Sequence, residues 1–362
     1  MRKRYSPPAL LALGLSLVVS ACDDTLSPEE AFDPDQTTAD LAVIDSTFNT
    51  AAFQSLAALG AVFDVPGAAP IAAANDLVET AARPDEPDFA VKVIRATRRL
   101  MAVRAADAAV ELIPEQLRGL TLVYSTQEQH YIVDESRTDA PATGIRFILY
   151  SVNPVTHEIA EPLTEIGYAD LIDESTDTAG IVRLVVVSEG VTFVNYTVSA
   201  SGTLTAPTVS IAGFLSDGTN QVDFTLVHSF ELNAGAFTIS IDYDIDVAAA
   251  DFHVEVAVTI SGTEQQNTTT ATVTVTSGSN TVTVQADLTN DTGTLDVSVN
   301  NVPFATVTVT NTGFEATDPS GNPLSQSHAN ALRQIFEFVE EVFDIFEDLF
   351  DPVEFLFNLE TP

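Results

Sequence analysis

Few residues of this 362-residue chain combine the type and the spacing that chemistry requires. Its five histidines are scattered at positions 130, 157, 228, 253 and 328, and its only cysteine is Cys22. His157-Glu158 begins like the helical zinc-protease motif, but Glu161 and Pro162 follow where a second histidine is needed. The sequence contains no Gly-x-Ser-x-Gly elbow, phosphate-binding loop or dinucleotide-binding glycine pattern. We therefore assign no catalytic residue and favour a non-catalytic protein over an enzyme.

Three aspartates are the candidates for a metal site. Asp242, Asp244 and Asp246 alternate along a predicted strand, so their carboxylates share one face at intervals of about 6.5–7 Å. Carboxylates at that distance can share Ca²⁺ only if neighbouring strands supply further ligands. We favour the simpler interpretation, solvated carboxylates on an acidic protein, and expect no cofactor, with calcium as the alternative.

His228 is the one histidine that the sequence places on an apolar strand face, between Leu226 and Phe230. It is either a base or ligand inside a cavity, or a core histidine with one satisfied hydrogen bond, and the second is the commoner case. If the protein carries an apolar ligand, His228 is a candidate for the cavity lining, together with the aromatic residues of a C-terminal helix: Phe336, Phe343 and Phe346.

The N-terminal segment of the chain indicates where the protein resides. Arg2-Lys3-Arg4 precedes an apolar run over 10–19, and the small residues Ser20 and Ala21 precede Cys22. The run is too short to span a bilayer as a stable helix. Residues 1–22 resemble a bacterial lipoprotein signal peptide with its lipobox. The resemblance implies removal of residues 1–21, attachment of diacylglycerol and palmitate-like chains to Cys22, and a membrane anchor formed by these lipids.

The resemblance also implies a location in the cell envelope. We expect the periplasmic face of the outer membrane or the cell surface rather than the inner membrane. The membrane, reached through the lipid on Cys22, is the expected partner, and a lipid or a protein is a further one.

The charge of the chain excludes other partners. It carries 52 acidic and 14 basic residues, a formal net charge of −38, and from residue 184 onward its only Lys or Arg is Arg333. Nucleic acid is excluded because phosphate binding needs clustered Lys and Arg. Charge-driven docking onto anionic lipid is excluded for the same reason. The carboxylates of so acidic a chain repel one another, which favours a saline environment or one rich in divalent cations.

Periodicity divides the chain into segments. After the signal peptide, residues 22–37 contain prolines and acids and indicate a disordered tether. Helical spacing of apolar residues predicts helices within 38–118, over 38–63, 70–82 and 88–112, the last of which holds Lys92 and four arginines. An amphipathic helix is predicted over 325–351, with Ser325 or Ser327 as its N-cap. We expect 38–362 to form one domain.

Between these helical segments the apolar residues alternate with polar ones. The alternation predicts many strands over 119–314, and short Gly-containing turns between them require antiparallel neighbours. Residues 153–180 lack the pattern and predict a long loop or irregular strands. The expected fold is α+β and mostly β: a long, curved antiparallel meander whose apolar face is covered by the C-terminal helix and the N-terminal helices.

These observations favour a membrane-anchored, non-catalytic envelope lipoprotein with a structural or partner-binding role. The alternative is a carrier or chaperone for lipid or another apolar ligand, held between the curved sheet and the helix. A hydrolase of unknown substrate is the second alternative.

Overall fold

The computed structural model describes residues 46, 47, 49–60, 113, 115–203, 205–233, 235–263, 266–290, 292–310 and 312–337. The prediction of an α+β, mostly β fold is confirmed, because strands account for most of this part of the chain. Several predicted features lie outside the described residues: Cys22, the helices over 70–82 and 88–112, and the helix beyond residue 337.

A short helical stretch at residues 46 and 47, two longer α-helical segments and 15 strands make up the described fold. Helix α1 is Ala51–Gly60, and residues 326–337 form the described part of α2. Two 3₁₀ turns cover Glu115–Leu117 and Ala248–Ala250. The strands are β1 Leu120–Ser125, β2 His130–Val133, β3 Gly144–Tyr150, β4 Glu165–Asp173, β5 Ala179–Ser188, β6 Val191–Thr203, β7 Ala206–Ser216, β8 Gln221–Asn233, β9 Ala236–Val247, β10 Phe252–Gly262, β11 Asn267–Ser277, β12 Asn280–Thr289, β13 Thr292–Val299, β14 Val302–Thr310 and β15 Gly313–Thr317.

All 15 strands belong to one sheet. From β3 to β15 each strand pairs antiparallel with the next strand in the chain, as the short turns predicted. The order then continues β3-β1-β2, and β1 runs parallel to β3, with Leu122 opposite Phe147. The parallel pair differs from the predicted all-antiparallel meander. It arises because the β1–β2 hairpin places β2 on the outside, so the chain returns past β1 to reach β3.

The alternating side chains give the sheet an inner and an outer face. On β9, for example, Ile239, Ile241, Tyr243 and Ile245 are each at most 2 % exposed, whereas the residues between them are exposed or partly exposed. Cross-strand pairing keeps such residues in continuous rows, so the inner-face residues of β3–β15 form a single apolar cluster. The core therefore lies on one side of the sheet.

Both helical segments contribute to this core. In α1, the Thr50 hydroxyl accepts a hydrogen bond from the Phe53 backbone N–H (3.2 Å) and caps the helix, which packs against β3–β6. In α2, the Ser325 hydroxyl accepts from the His328 N–H (3.2 Å), which confirms one of the two predicted N-caps. Leu332 of α2 is fully buried in the same cluster.

Strand β4 lies where the sequence predicted a long loop or irregular strands. Its residues do not alternate because both faces are partly covered. Ala169 and Leu171 face the core, while Tyr168 and Asp170 lie under Arg146 of β3 on the outer face. A strand covered on both sides loses the period-two pattern that identifies a half-buried strand.

Candidate functional site

His228 and Tyr243 form a polar pair within the apolar inner face. His228 lies on β8 and Tyr243 on β9, one row apart, since Leu226 is directly opposite Tyr243. The His228 Nε2 and Tyr243 Oη atoms are 3.1 Å apart, and the two rings lie 5.5 Å from each other. Both residues are buried, with exposed fractions of 4 % and 2 %. His228 is therefore placed in the packed core of the sheet.

Burial decides the protonation of this pair. Loss of hydration disfavours the imidazolium and lowers the pKa of His228 to about 3, and it raises the pKa of the Tyr243 hydroxyl. The histidine is consequently neutral at physiological pH. The neutral His228 and Tyr243 side chains can share one hydrogen bond, but both are buried and therefore do not contact a substrate in solution.

Two buried polar atoms on the inner face have no hydrogen-bond partner within the described part of the chain: His228 Nδ1 and the Tyr196 hydroxyl. Tyr196 lies on β6 opposite Gly213 of β7, and its ring meets Phe224 of β8 edge-on at 5.8 Å. A Cβ at Gly213 would lie 2.4 Å from the Tyr196 Cβ, so the glycine gives the two rings room to meet across β7. A buried polar atom without a partner is uncommon and costs stability.

The three candidate calcium ligands lie on the outer face of β9. Asp244 and Asp246 flank His253 of β10, at 3.5 Å from Nε2 and 3.7 Å from Nδ1. The backbone register sets like charges directly opposite each other, Asp246 across from Asp223 and Asp244 across from Glu255. Within the described residues, no group of three or more His, Cys, Asp or Glu side chains is arranged to hold a metal ion.

Carboxylates near β1–β5 are paired with arginines. Arg146 of β3 donates two hydrogen bonds of 2.7 Å to Asp170 directly across on β4, and its guanidinium lies 3.7 Å above the Tyr168 ring. Asp173 accepts from Arg118 at 3.1 Å. The bidentate and stacked contacts of Arg146 stabilise the β3–β4 pairing, and in both pairs each charged group already has its partner, so neither pair is a candidate site.

The outer face of β11–β14 is the most regular polar surface among the described residues. Its outward positions alternate with buried valines, and hydroxyl residues fill most of them. We call this set the hydroxyl face: Thr268, Thr270, Thr272, Thr274, Thr276, Thr281, Thr283, Thr289, Thr292, Thr294, Ser298, Thr306, Thr308 and Thr310.

Neighbouring strands of the hydroxyl face bring their side chains into contact. The Thr276 and Thr281 hydroxyls are 3.3 Å apart, and Thr306 donates a 2.6 Å hydrogen bond to Asp296. Ser261 of β10 extends the set to Thr268 at 3.1 Å. The arrangement can present a two-dimensional array of hydroxyl groups to a partner.

The sequence identified His228 and the aspartates but not the Arg146–Asp170 pair or the hydroxyl face. For the pair, the available signal was an arginine in the middle of the apolar run Gly144–Tyr150. For the face, it was the threonine at every second position from Thr268 to Thr276. Of the predicted cavity residues, Phe336 is buried in α2, while Phe343, Phe346 and the lipidation site Cys22 lie outside the described residues.

Comparison with known proteins places this chain in no family. No protein-family model, no curated protein and no solved structure matches it. Among the described residues, no helix is both long enough and apolar enough to cross a membrane.

Proposed function

We propose that this protein is a non-catalytic envelope lipoprotein, anchored by lipid on Cys22, whose sheet serves a structural or partner-binding role. One observation carries the proposal: the sheet has a packed inner face and a broad outer face of small polar side chains. The ionisable groups that meet on the inner face, His228 and Tyr243, are buried away from substrates. We therefore assign the structural or partner-binding role to the outer surface of the sheet.

The N-terminal residues support the anchoring. The apolar run, the small residues and the unique Cys22 occur in the order that lipid attachment requires. Described structure begins at residue 46, where the Ser46 hydroxyl donates a 2.9 Å hydrogen bond to Asp217 in the β7–β8 turn. Ser46 therefore lies at that end of the sheet.

Metabolic labelling with a fatty acid, followed by fractionation, tests the proposal. The unaltered chain is expected to take up label and sediment with membranes. Cys22→Ser is expected to lose the label and to release a folded chain into the soluble fraction. Ser20→Thr, which leaves the cysteine in place, is the matched control. An unlabelled wild-type chain, or a Cys22→Ser chain that stays with membranes, would contradict the proposal.

A second candidate function, a carrier for an apolar ligand with a polar group, is favoured by the two unpartnered atoms on the inner face. His228 Nδ1 and the Tyr196 hydroxyl would each gain a partner if the sheet opened to admit such a ligand. Native mass spectrometry of protein from its own host tests this function. A bound lipid that His228→Leu removes supports the carrier, and ligand-free protein in repeated preparations rejects it.

A further inference from the structure

The hydroxyl face differs from the rest of the outer surface in its charge. On β8–β10 the outward positions hold Asp223, Asp242, Asp244, Asp246 and Glu255. On β11–β14 the outward carboxylates are Asp287 and Asp296, and Thr306 donates a hydrogen bond to Asp296. Threonine is a favoured strand residue, which explains single threonines. It does not explain why a chain with 52 acidic residues keeps most of its charge off this face.

The composition of the hydroxyl face excludes most partners. Protein interfaces depend on buried aromatic and arginine anchors, and the outward positions of β11–β14 carry neither. The face also holds no basic residue with which to bind an anion. A second copy of this acidic chain would be repelled by its own charge. The remaining partner is one that offers hydroxyl groups or water molecules in a repeating pattern.

The spacing of the hydroxyls specifies the pattern. The strands that carry Thr274, Thr283 and Ser298 in register lie about 4.7–4.9 Å apart, and successive outward residues on one strand repeat at about 6.4–6.8 Å. In a tetrahedral network of water with O···O distances of about 2.75 Å, second neighbours lie about 4.5 Å apart and the stacking repeat is about 7.3 Å. The spacings of the sheet and of the water network therefore agree to within about a tenth in each direction.

We propose that the hydroxyl face of β11–β14 binds the surface of ice. The threonine hydroxyls take positions in the water lattice, and their methyl groups fill the spaces between. Because neighbouring strands are rotated by about 20–25°, the match holds over a few strands at a time. We therefore expect adsorption to ice and slower ice recrystallisation rather than a large depression of the freezing point. This inference rests on the partner-binding form of the proposed function.

Partition into slowly growing ice tests the inference, with the full chain carrying Cys22→Ser taken from its soluble fraction. The protein is expected to be enriched in the ice relative to serum albumin in the same solution. Thr283→Lys, at the centre of the face between Thr274 and Ser298, is expected to lose most of that enrichment. Thr225→Lys, on the charged outer face of β8, is the matched control and is expected to retain it. Melting temperatures of both variants verify that they fold.

The outcomes separate the possible partners. Exclusion of the parent chain from ice, or equal enrichment of the Thr283→Lys and Thr225→Lys chains, would overturn the inference. So would exclusion from ice combined with retention on insoluble cellulose or chitin, which would assign the face to a polysaccharide. Failure of lipid labelling with normal ice enrichment would reject the anchor alone. Normal labelling without ice enrichment would reject the ice surface alone.

Discussion

The two ends of the sheet differ in whether their surface carboxylates have arginine partners. Around β1–β5, four arginines form ion pairs with carboxylates, including the Arg146–Asp170 pair across β3 and β4. From β6 to β15 there is no Lys or Arg, and the outer face carries hydroxyls and carboxylates. Both regions share the apolar core, and the first region adds arginine–carboxylate pairs that the second has no Lys or Arg to form. Carboxylates are paired with arginines in the first region, whereas on β8–β10 of the second region two pairs of carboxylates lie directly opposite each other.

Removing a paired carboxylate in the arginine-containing region is expected to have the largest effect. Asp170→Asn leaves the Arg146 guanidinium, whose side chain is 16 % exposed, without its bidentate acceptor. We expect a loss of about 3 kcal/mol in the free energy of unfolding, since breaking a buried pair leaves a charge uncompensated. Urea unfolding measures this loss.

The exposed Arg333–Glu337 pair in α2 provides the control for that experiment. Both of its side chains are about half exposed. Glu337→Gln is expected to cost less than about 0.5 kcal/mol. Equal losses for Asp170→Asn and Glu337→Gln would show that the arginine pairs do not distinguish the two regions.

Acidification is expected to have the next largest effect, through the inner face of the second region. The pKa of His228 is about 3 in the folded protein and close to 6.5 when unfolded, so the unfolded chain binds the extra proton between these values. The contribution of His228 to the free energy of unfolding is fully present above about pH 6.5 and is lost progressively as the pH falls towards 3. The expected loss from this group between pH 7 and pH 5 is about 2 kcal/mol.

Urea unfolding of the wild type and of His228→Leu at both pH values isolates this contribution. The variant is expected to lose about 2 kcal/mol less than the wild type on going from pH 7 to pH 5. An identical pH dependence in the two proteins would mean that His228 is accessible to protons in the folded state.

Relief of like-charge contacts is expected to have the smallest effect. Glu255→Gln removes a carboxylate directly opposite Asp244, and we expect a gain of about 0.5 kcal/mol at low salt that disappears near 1 M salt. Glu315→Gln on β15, which lies opposite Thr308, is the control and is expected to gain less. A gain that is equal for both variants, or that persists at high salt, would contradict a repulsion between Glu255 and Asp244.

The sequence predicted the strands of the second region and missed structure in the first for one physical reason. Alternation marks a strand only when one face is wet, as in β8 and β9, and β4 is covered on both faces. The parallel β1–β3 pair depends on the path of residues 134–143 between β2 and β3, which no local pattern encodes.

For the candidate site too, the sequence revealed only what a local pattern along one strand encodes. His228 was recognisable because a polar residue stood in a period-two apolar row. The Arg146–Asp170 pair joins residues 24 positions apart on two strands, so it required the strand register. The hydroxyl face was present in the sequence as alternating threonines, but four strands had to be aligned before its two-dimensional repeat became visible.

The sequential pairing of β3 to β15 has a consequence for how the chain folds. Each hairpin needs only the strand that precedes it in the chain, so the sheet can lengthen one hairpin at a time while the polypeptide is still emerging. Such short-range pairing avoids the loop-closure entropy that slows most large β proteins. At the growing end each new strand pairs with the one before it, so a single new edge is exposed there at a time, which limits misassociation between partly synthesised chains.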